Sequence, residues 1–172
     1  MDELNRMNVE EFRQSSKNPI VVVLDNVRSM NNIGSVFRTC DAFRIDEIYL
    51  CGITAQPPHK EIEKTALGAT QSVSWNYFDT TQEAVNELIR NEYTVFAIEQ
   101  AEQSIMLNEF NSCDYKKLAL VFGNEVMGVE QQVIDSCCGC IEIPQFGTKH
   151  SLNISVSVGI TLWHVVYLYD GK

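Results

Sequence analysis

The chain has 172 residues, 45% of them apolar and 21% charged, which fits one soluble domain able to bury its own core. Its net charge of −10 argues against a protein that coats nucleic acid nonspecifically. No stretch reaches the roughly 18 uninterrupted apolar residues of a spanning helix, and Met-Asp-Glu-Leu-Asn-Arg lacks the basic start and apolar middle of a secretory signal, so a cytoplasmic protein is expected.

In chain order, residues 2–15 read as an amphipathic helix with Leu4, Met7, Val9 and Phe12 on its apolar side. Ile20 to Leu24 is a β-branched run suited to a strand buried on both faces. A polar loop, 25–32, leads into helical spacing over 33–43. A second strand spans Glu47 to Cys51, a turn is marked by Pro57 and Pro58, and a short helix follows from Lys60 to Ala66. Val73 to Phe78 alternates as a strand, 80–91 form a helix capped by Thr80 or Thr81, and Tyr93 to Ile98 and Leu118 to Phe122 are buried strands. A helix over 129–137 and a strand over Ile141–Ile143 complete the alternation, which predicts an α/β layered fold with a mostly parallel sheet.

The C-terminal segment carries a conflict. Leu152, Ile154, Val156, Val158, Ile160 and Leu162 alternate with strand period, yet the run continues unbroken to Leu168, longer than a usual strand. Length favours a helix over 151–168, N-capped by Ser151, with Ser155, Ser157 and Gly159 as a small face for close packing.

The common catalytic templates are absent. Gly123 to Gly128 has the spacing of a phosphate loop, but Val129 stands where its lysine belongs. No glycine-rich dinucleotide fingerprint follows a strand, and no G-x-S-x-G elbow occurs. His59, His150 and His164 are scattered, so no metal is expected. Cys137 and Cys140 form a C-x-x-C without two further ligands, and they read as thiols packed at a helix end.

Three polar clusters remain, each beyond a strand's carboxyl end, where α/β sheets bind ligands. They are Asn32 with Arg38, then Gly123-Asn124-Glu125, then Gly147 through Asn153. Charge divides unevenly: residues 1–64 hold eight Lys/Arg against ten Asp/Glu, and 65–172 hold five against thirteen.

Taken together, the clusters resemble the SpoU (TrmH-like) family of RNA 2′-O-methyltransferases in the SPOUT superfamily. The likeness runs from Val21 to about Tyr167 and rests on three motifs in family order. These are Leu24-Asp25-Asn26-Val27 through Asn32-Ile33-Gly34-Ser35-Val36-Phe37-Arg38-Thr39, then Leu120 through Val129, then Ile143-Pro144 through Gly147 and Ser151 through Val156. Phe122, Asn124 and Phe146 are mild departures.

The resemblance implies one domain over 1–172, with a helical extension at 1–18 and a trefoil-knotted, cofactor-binding region at 118–168. It implies S-adenosylmethionine held near Ile98, Glu99, Gln100, Phe122, Gly123, Asn124, Gly128, Ile143, Pro144, Ser151, Leu152 and Asn153. It also implies a homodimer whose active site is shared between subunits. Arg38 would be the central catalytic residue, beside Asn32, with Glu125, Ser151 and Asn153 arranging the site. Arg38 acts either as a base or as a charged clamp; a guanidinium hardly ever deprotonates, which favours the clamp. RNA would approach by the less acidic N-terminal part, through Arg6, Arg13, Arg28 and Lys64. About twenty residues precede the first strand, which favours tRNA over ribosomal RNA as the substrate. A catalytically idle RNA-binding homologue is the alternative.

Overall fold

The computed structural model describes residues 7–148 and 151–170. Arg6, Lys149, His150 and the first part of the expected N-terminal helix lie outside the described residues.

Seven strands form one sheet in the order β3-β2-β1-β6-β4-β7-β5, and every pairing is parallel. β1 (Asn18–Asp25) is an interior strand, third from one edge, between β2 (Ile45–Cys51) and the central β6 (Leu118–Phe122). β3 (Ser74–Phe78) forms one edge. β4 (Thr94–Ile98), β7 (Gly139–Glu142) and the two-residue β5 (Ile105–Met106) extend the other side.

The β-branched run of β1 is buried on both faces because helices cover both. Ile20, Val22 and Leu24 pack into a cluster with residues of α2 (Met30–Ala42), α3 (Lys60–Ala66) and α7 (Ile154–Asp170). Val21 and Val23 point the other way, toward α5 (Thr81–Arg90) and α6 (Gln131–Ser136). Gly34 lets α2 and α3 touch: a Cβ there would sit 2.2 Å from the Ile62 carbonyl oxygen.

The expected elements are present, with shifted ends. The N-terminal helix is one short element, α1 (Val9–Gln14), started by a capping box between Asn8 and Glu11. Thr80, not Thr81, caps α5. A four-residue α4 (Ala69–Ser72) and two 3₁₀ turns (Leu107–Glu109, Ser112–Asp114) were not foreseen.

In the contested C-terminal segment, helix wins. Ile154, Val158, Leu162 and Val165 face the core, while Val156, Ile160, Trp163 and Tyr167 face outward. The alternation came from two apolar helical stripes on different sides, not from a strand. The outward face is therefore large and apolar rather than small, and Ser155, Ser157 and Gly159 are half-buried beside it.

Candidate active site

β1, β4, β6 and β7 deliver their carboxyl ends to one side of the sheet. Residues after Phe122 turn back on themselves: Asn124 and Gly128 exchange backbone N–H···O bonds of 3.1 and 3.0 Å. Asn124 Oδ1 accepts from the Val126 and Met127 N–H groups at 2.8 and 3.2 Å, filling the interior of the turn. Its Nδ2 donates 2.9 Å to the Asn26 carbonyl, tying this turn to the end of β1. Gly128 has φ +69°, and a Cβ there would come within 2.3 Å of Glu99 Oε2. That oxygen accepts from the Val129 N–H at 3.2 Å, and Glu99 Oε1 accepts from the Gln100 N–H at 3.0 Å. A single carboxylate thus joins the turns after β4 and β6.

Asn32, Glu125 and Asn153, one from each polar cluster, meet above these turns. Asn32 Nδ2 donates to Glu125 Oε1, and Asn153 Nδ2 donates to Asn32 Oδ1, both at 3.2 Å. The Arg28 N–H adds a weaker bond to Glu125 Oε2 at 3.4 Å. Partial burial pushes the Glu125 carboxyl up. Hydrogen bonds from its own N–H, Asn32, Arg28 and Ser29 outweigh this and hold it below its ordinary value.

Asn153, rather than Ser151, caps α7. Its Oδ1 accepts from the Ser155 N–H and hydroxyl at 3.0 and 2.7 Å, and its carbonyl receives the first helical bonds. The helix starts at Ile154, two residues later than a Ser151 cap would start it.

These turns enclose a cleft of about 730 Å³. Ile98, Glu99, Gln100, Phe122, Gly123, Asn124, Gly128, Ile143, Ser151, Leu152 and Asn153, residues that the resemblance names for the cofactor, line it. Pro144 does not, although its neighbours Ile143 and Gln145 do. Val126, Met127, Val129, Gln131, Ile134, Ile154 and Ser157 also line it and were not named; Val126, Met127, Val129 and Ile154 lie inside the motifs, and Gln131, Ile134 and Ser157 follow shortly after them. Among the described residues the lining holds two carboxylates, Glu99 and Glu125, and no Lys, Arg or His. Such a wall suits a neutral nucleoside with a positively charged group and disfavours a polyphosphate. S-adenosylmethionine, with an adenosine and a sulfonium, fits this donor set.

Arg38 is not part of this cleft. It stands six residues beyond Asn32 on α2, about 9 Å along the axis and roughly 120° around it. Its exposed side chain lines a second groove with Arg44, Asp41 and residues of α1 and α4. Arg13 is committed elsewhere: its Nε and Nη2 donate 3.0 and 2.6 Å to the Gln71 carbonyl, fastening α1 to α4. Arg28 and Lys64 are exposed. Their places leave the expected RNA contacts spread rather than gathered.

His59, His164 and Cys137 have structural places. His59 Nδ1 accepts from the Glu61 N–H as the cap of α3, and the His164 ring bonds the Phe110 carbonyl at 3.0 Å. Burial pushes the Cys137 thiol up to about 12, with lesser contributions from Cys140 and Cys138, unlike a reactive thiol. Among the described residues no group of three His, Cys, Asp or Glu could hold a metal.

Residues 19–163 match the SpoU rRNA Methylase family. The chain belongs to that family. Within it, the chain is 30% identical over 162 residues to a tRNA (guanosine(18)-2′-O)-methyltransferase of Thermus thermophilus, covering 94% of this chain and 81% of that one. Its fold superposes on the Aquifex aeolicus TrmH/SpoU tRNA modifying enzyme with a TM-score of 0.84 and 26% identity, covering 95% and 82% of the two chains. An AdoMet-bound rRNA methyltransferase of Sinorhizobium meliloti gives a TM-score of 0.77 at 26% identity, covering 90% of this chain and 59% of that one. In this SpoU-family chain, the Asn32–Glu125–Asn153 cluster joins all three motifs.

Proposed function

We propose that this chain is an S-adenosylmethionine-dependent RNA ribose 2′-O-methyltransferase acting on tRNA in the cytoplasm. The observation that carries the reading is the Asn32–Glu125–Asn153 cluster at the mouth of a cleft whose described lining holds no cationic side chain, in a chain of the SpoU family. tRNA is favoured over ribosomal RNA because the chain is 30% identical to the Thermus tRNA enzyme and 26% and 28% identical to two Haemophilus 23S rRNA (guanosine-2′-O-)-methyltransferases.

When bound, S-adenosylmethionine supplies an electrophilic methyl group on its sulfonium. The protein's own task is to make a ribose hydroxyl, a very weak acid, nucleophilic. Arg38 does this as a cation that grips an RNA phosphate and stabilises the developing alkoxide, while the hydroxyl proton passes to water. Asn32, Glu125, Ser151 and Asn153 shape the floor against which the ribose is set. Backbone groups of the 123–129 turn and of Leu152 hold the adenosine part. No metal is required.

Arg38 does not line its own chain's cleft, so the reading requires a homodimer in which Arg38 serves the partner's cleft. The outward stripe of α7, where Trp163 is 63% and Tyr167 65% exposed, supports such pairing. Residues 118–168 thread the trefoil knot of the superfamily, with α7 returning to pack on α2.

The test is to incubate the protein with tRNA and methyl-labelled S-adenosylmethionine, then map the modified nucleotide. Label at a ribose 2′-oxygen is expected; label on a base, or none, would reject the reading.

A further inference from the structure

The cleft and the second groove have opposite character. The groove, about 680 Å³, is walled by α1, by the C-terminal half of α2 and its exit, and by the turn from α3 into α4. Among the described residues its lining carries two guanidinium groups, Arg38 and Arg44, against one carboxylate, Asp41, which already accepts from the Ser72 hydroxyl. The exposed Met7 and Leu67 give it apolar lips. In a chain of net charge −10, a locally cationic groove is where a polyanion meets least repulsion.

The groove is also built. Arg13 fastens α1 to the Gln71 carbonyl, and Phe12 anchors α1 in the core. The Arg44 backbone is pinned on both sides: its N–H donates 3.1 Å to the Asp41 carbonyl, and its carbonyl accepts from the Asn18 N–H at 2.8 Å. At φ +48° it leaves the helix abruptly, so that its half-buried side chain turns back into the groove beside Arg38.

We infer that this groove carries the RNA strand, and that Arg44 is a positioning residue which grips a backbone phosphate next to the one Arg38 handles. The inference rests on the methyltransferase reading above. Two planar forks lining one groove suit successive phosphates of one strand, because each can pair two phosphate oxygens at once. Met7 and Leu67 then meet sugar or base faces. The groove of one protomer so leads the target ribose toward the partner's cleft.

The test is Arg44→Asn, which removes the charge while tolerating the left-handed backbone, with Arg44→Lys as the charge-retaining control. Binding of fluorescent bulk tRNA is followed by anisotropy across a salt series. Arg44→Asn should flatten the slope of log affinity against log salt by about 0.7 to 0.9, the share of one phosphate. Arg44→Lys should restore it. KM for tRNA should rise roughly five- to tenfold in Arg44→Asn with kcat nearly kept, as expected of a phosphate contact, and calorimetry should show S-adenosylmethionine affinity unchanged. An unaltered salt slope and KM, or wild-type protein that binds no tRNA, overturns the groove. A wild-type protein that binds tRNA with an Arg44-dependent slope but never methylates ribose instead overturns the enzymatic reading alone.

Discussion

Asn153 Nδ2 donates to Asn32 Oδ1 at 3.2 Å across 121 residues of chain, and this bond decides which way the Asn32 amide faces. With its oxygen engaged, Asn32 must present Nδ2 to Glu125, where it donates at 3.2 Å. Asn153 is itself held by its role as the cap of α7. The helix start therefore sets the orientation of a side chain on another helix.

Asn32→Asp keeps the shape of the side chain but turns a second carboxylate oxygen toward Glu125. Loss of a hydrogen bond to a charged group costs about 1.5–3 kcal/mol, which corresponds to roughly 10- to 150-fold in rate if felt in the transition state. Single-turnover methyl transfer should fall by that factor, while calorimetric affinity for S-adenosylmethionine stays within about twofold, because the substitution leaves the turns that hold it intact. Undiminished transfer would reduce Asn32 to a spacer.

Glu125 has a carboxyl held below its ordinary value of 4.5 in the folded state. A depressed folded-state pKa contributes stability that is fully present above the unfolded value and is lost as pH falls through the folded one. Glu125→Gln should therefore be less stable than wild type at neutral pH, and the two should converge as acidification passes below the ordinary carboxylate value and through the lower folded one. Urea midpoints measured across pH decide it. A gap that persists unchanged at low pH would assign the difference to packing rather than to the charge.

Periodicity and turn residues were enough for β1, β6 and β4, which are buried on both faces and show it in their apolar runs, but not for the two-residue β5, which was missed. The order of the strands was not legible, since nothing local tells β1 to pair with β6 rather than β4. α7 was ambiguous for a physical reason: a helix with a core stripe and an outward apolar stripe mimics alternation. Ser151 looked like the cap because any Ser or Asn just before an apolar run qualifies, and only the backbone shows that Asn153 takes the bond. Most cleft residues were legible through the motifs. The separation of Arg38 from Asn32 was not, because both lie in one motif and only the helical phase divides them.

Gly128→Ala places a methyl group 2.3 Å from Glu99 Oε2 at a φ of +69°. Left-handed backbone costs a residue with a Cβ about 1–2 kcal/mol, and Glu99 must release the Val129 N–H as well. S-adenosylmethionine binding should weaken and the urea midpoint should fall. Gly147→Ala, whose Cβ meets nothing within 4 Å, should leave the midpoint unchanged. Equal effects at both positions would contradict the role of the 123–129 turn.

Trp163 stacks on Tyr167 with ring centroids 5.9 Å apart and packs edge-on to Phe43 at 6.4 Å, which builds a rigid aromatic patch on the outer face of α7. Trp163→Glu places a charge in the middle of that patch. Sedimentation should then show a monomer with its fold retained by circular dichroism. A dimer of undiminished affinity would move the interface elsewhere on the molecule.

Arg38→Ala and Asn153→Ala should each abolish or severely reduce methyl transfer, the first without loss of S-adenosylmethionine binding. Mixing the two distinguishes a shared site from a self-contained one. If Arg38 serves the partner's cleft, a mixed dimer contains one site with an intact cleft from the Arg38→Ala chain and an intact arginine from the Asn153→Ala chain. Random pairing then restores about a quarter of wild-type activity, since half of the dimers are mixed and half of their sites are whole. If Arg38 acted in its own chain, every site in the mixture would carry one defect and activity would stay at background. Recovery after denaturing and refolding the two variants together, set against each refolded alone, is the measurement, and its absence would return Arg38 to its own chain's cleft.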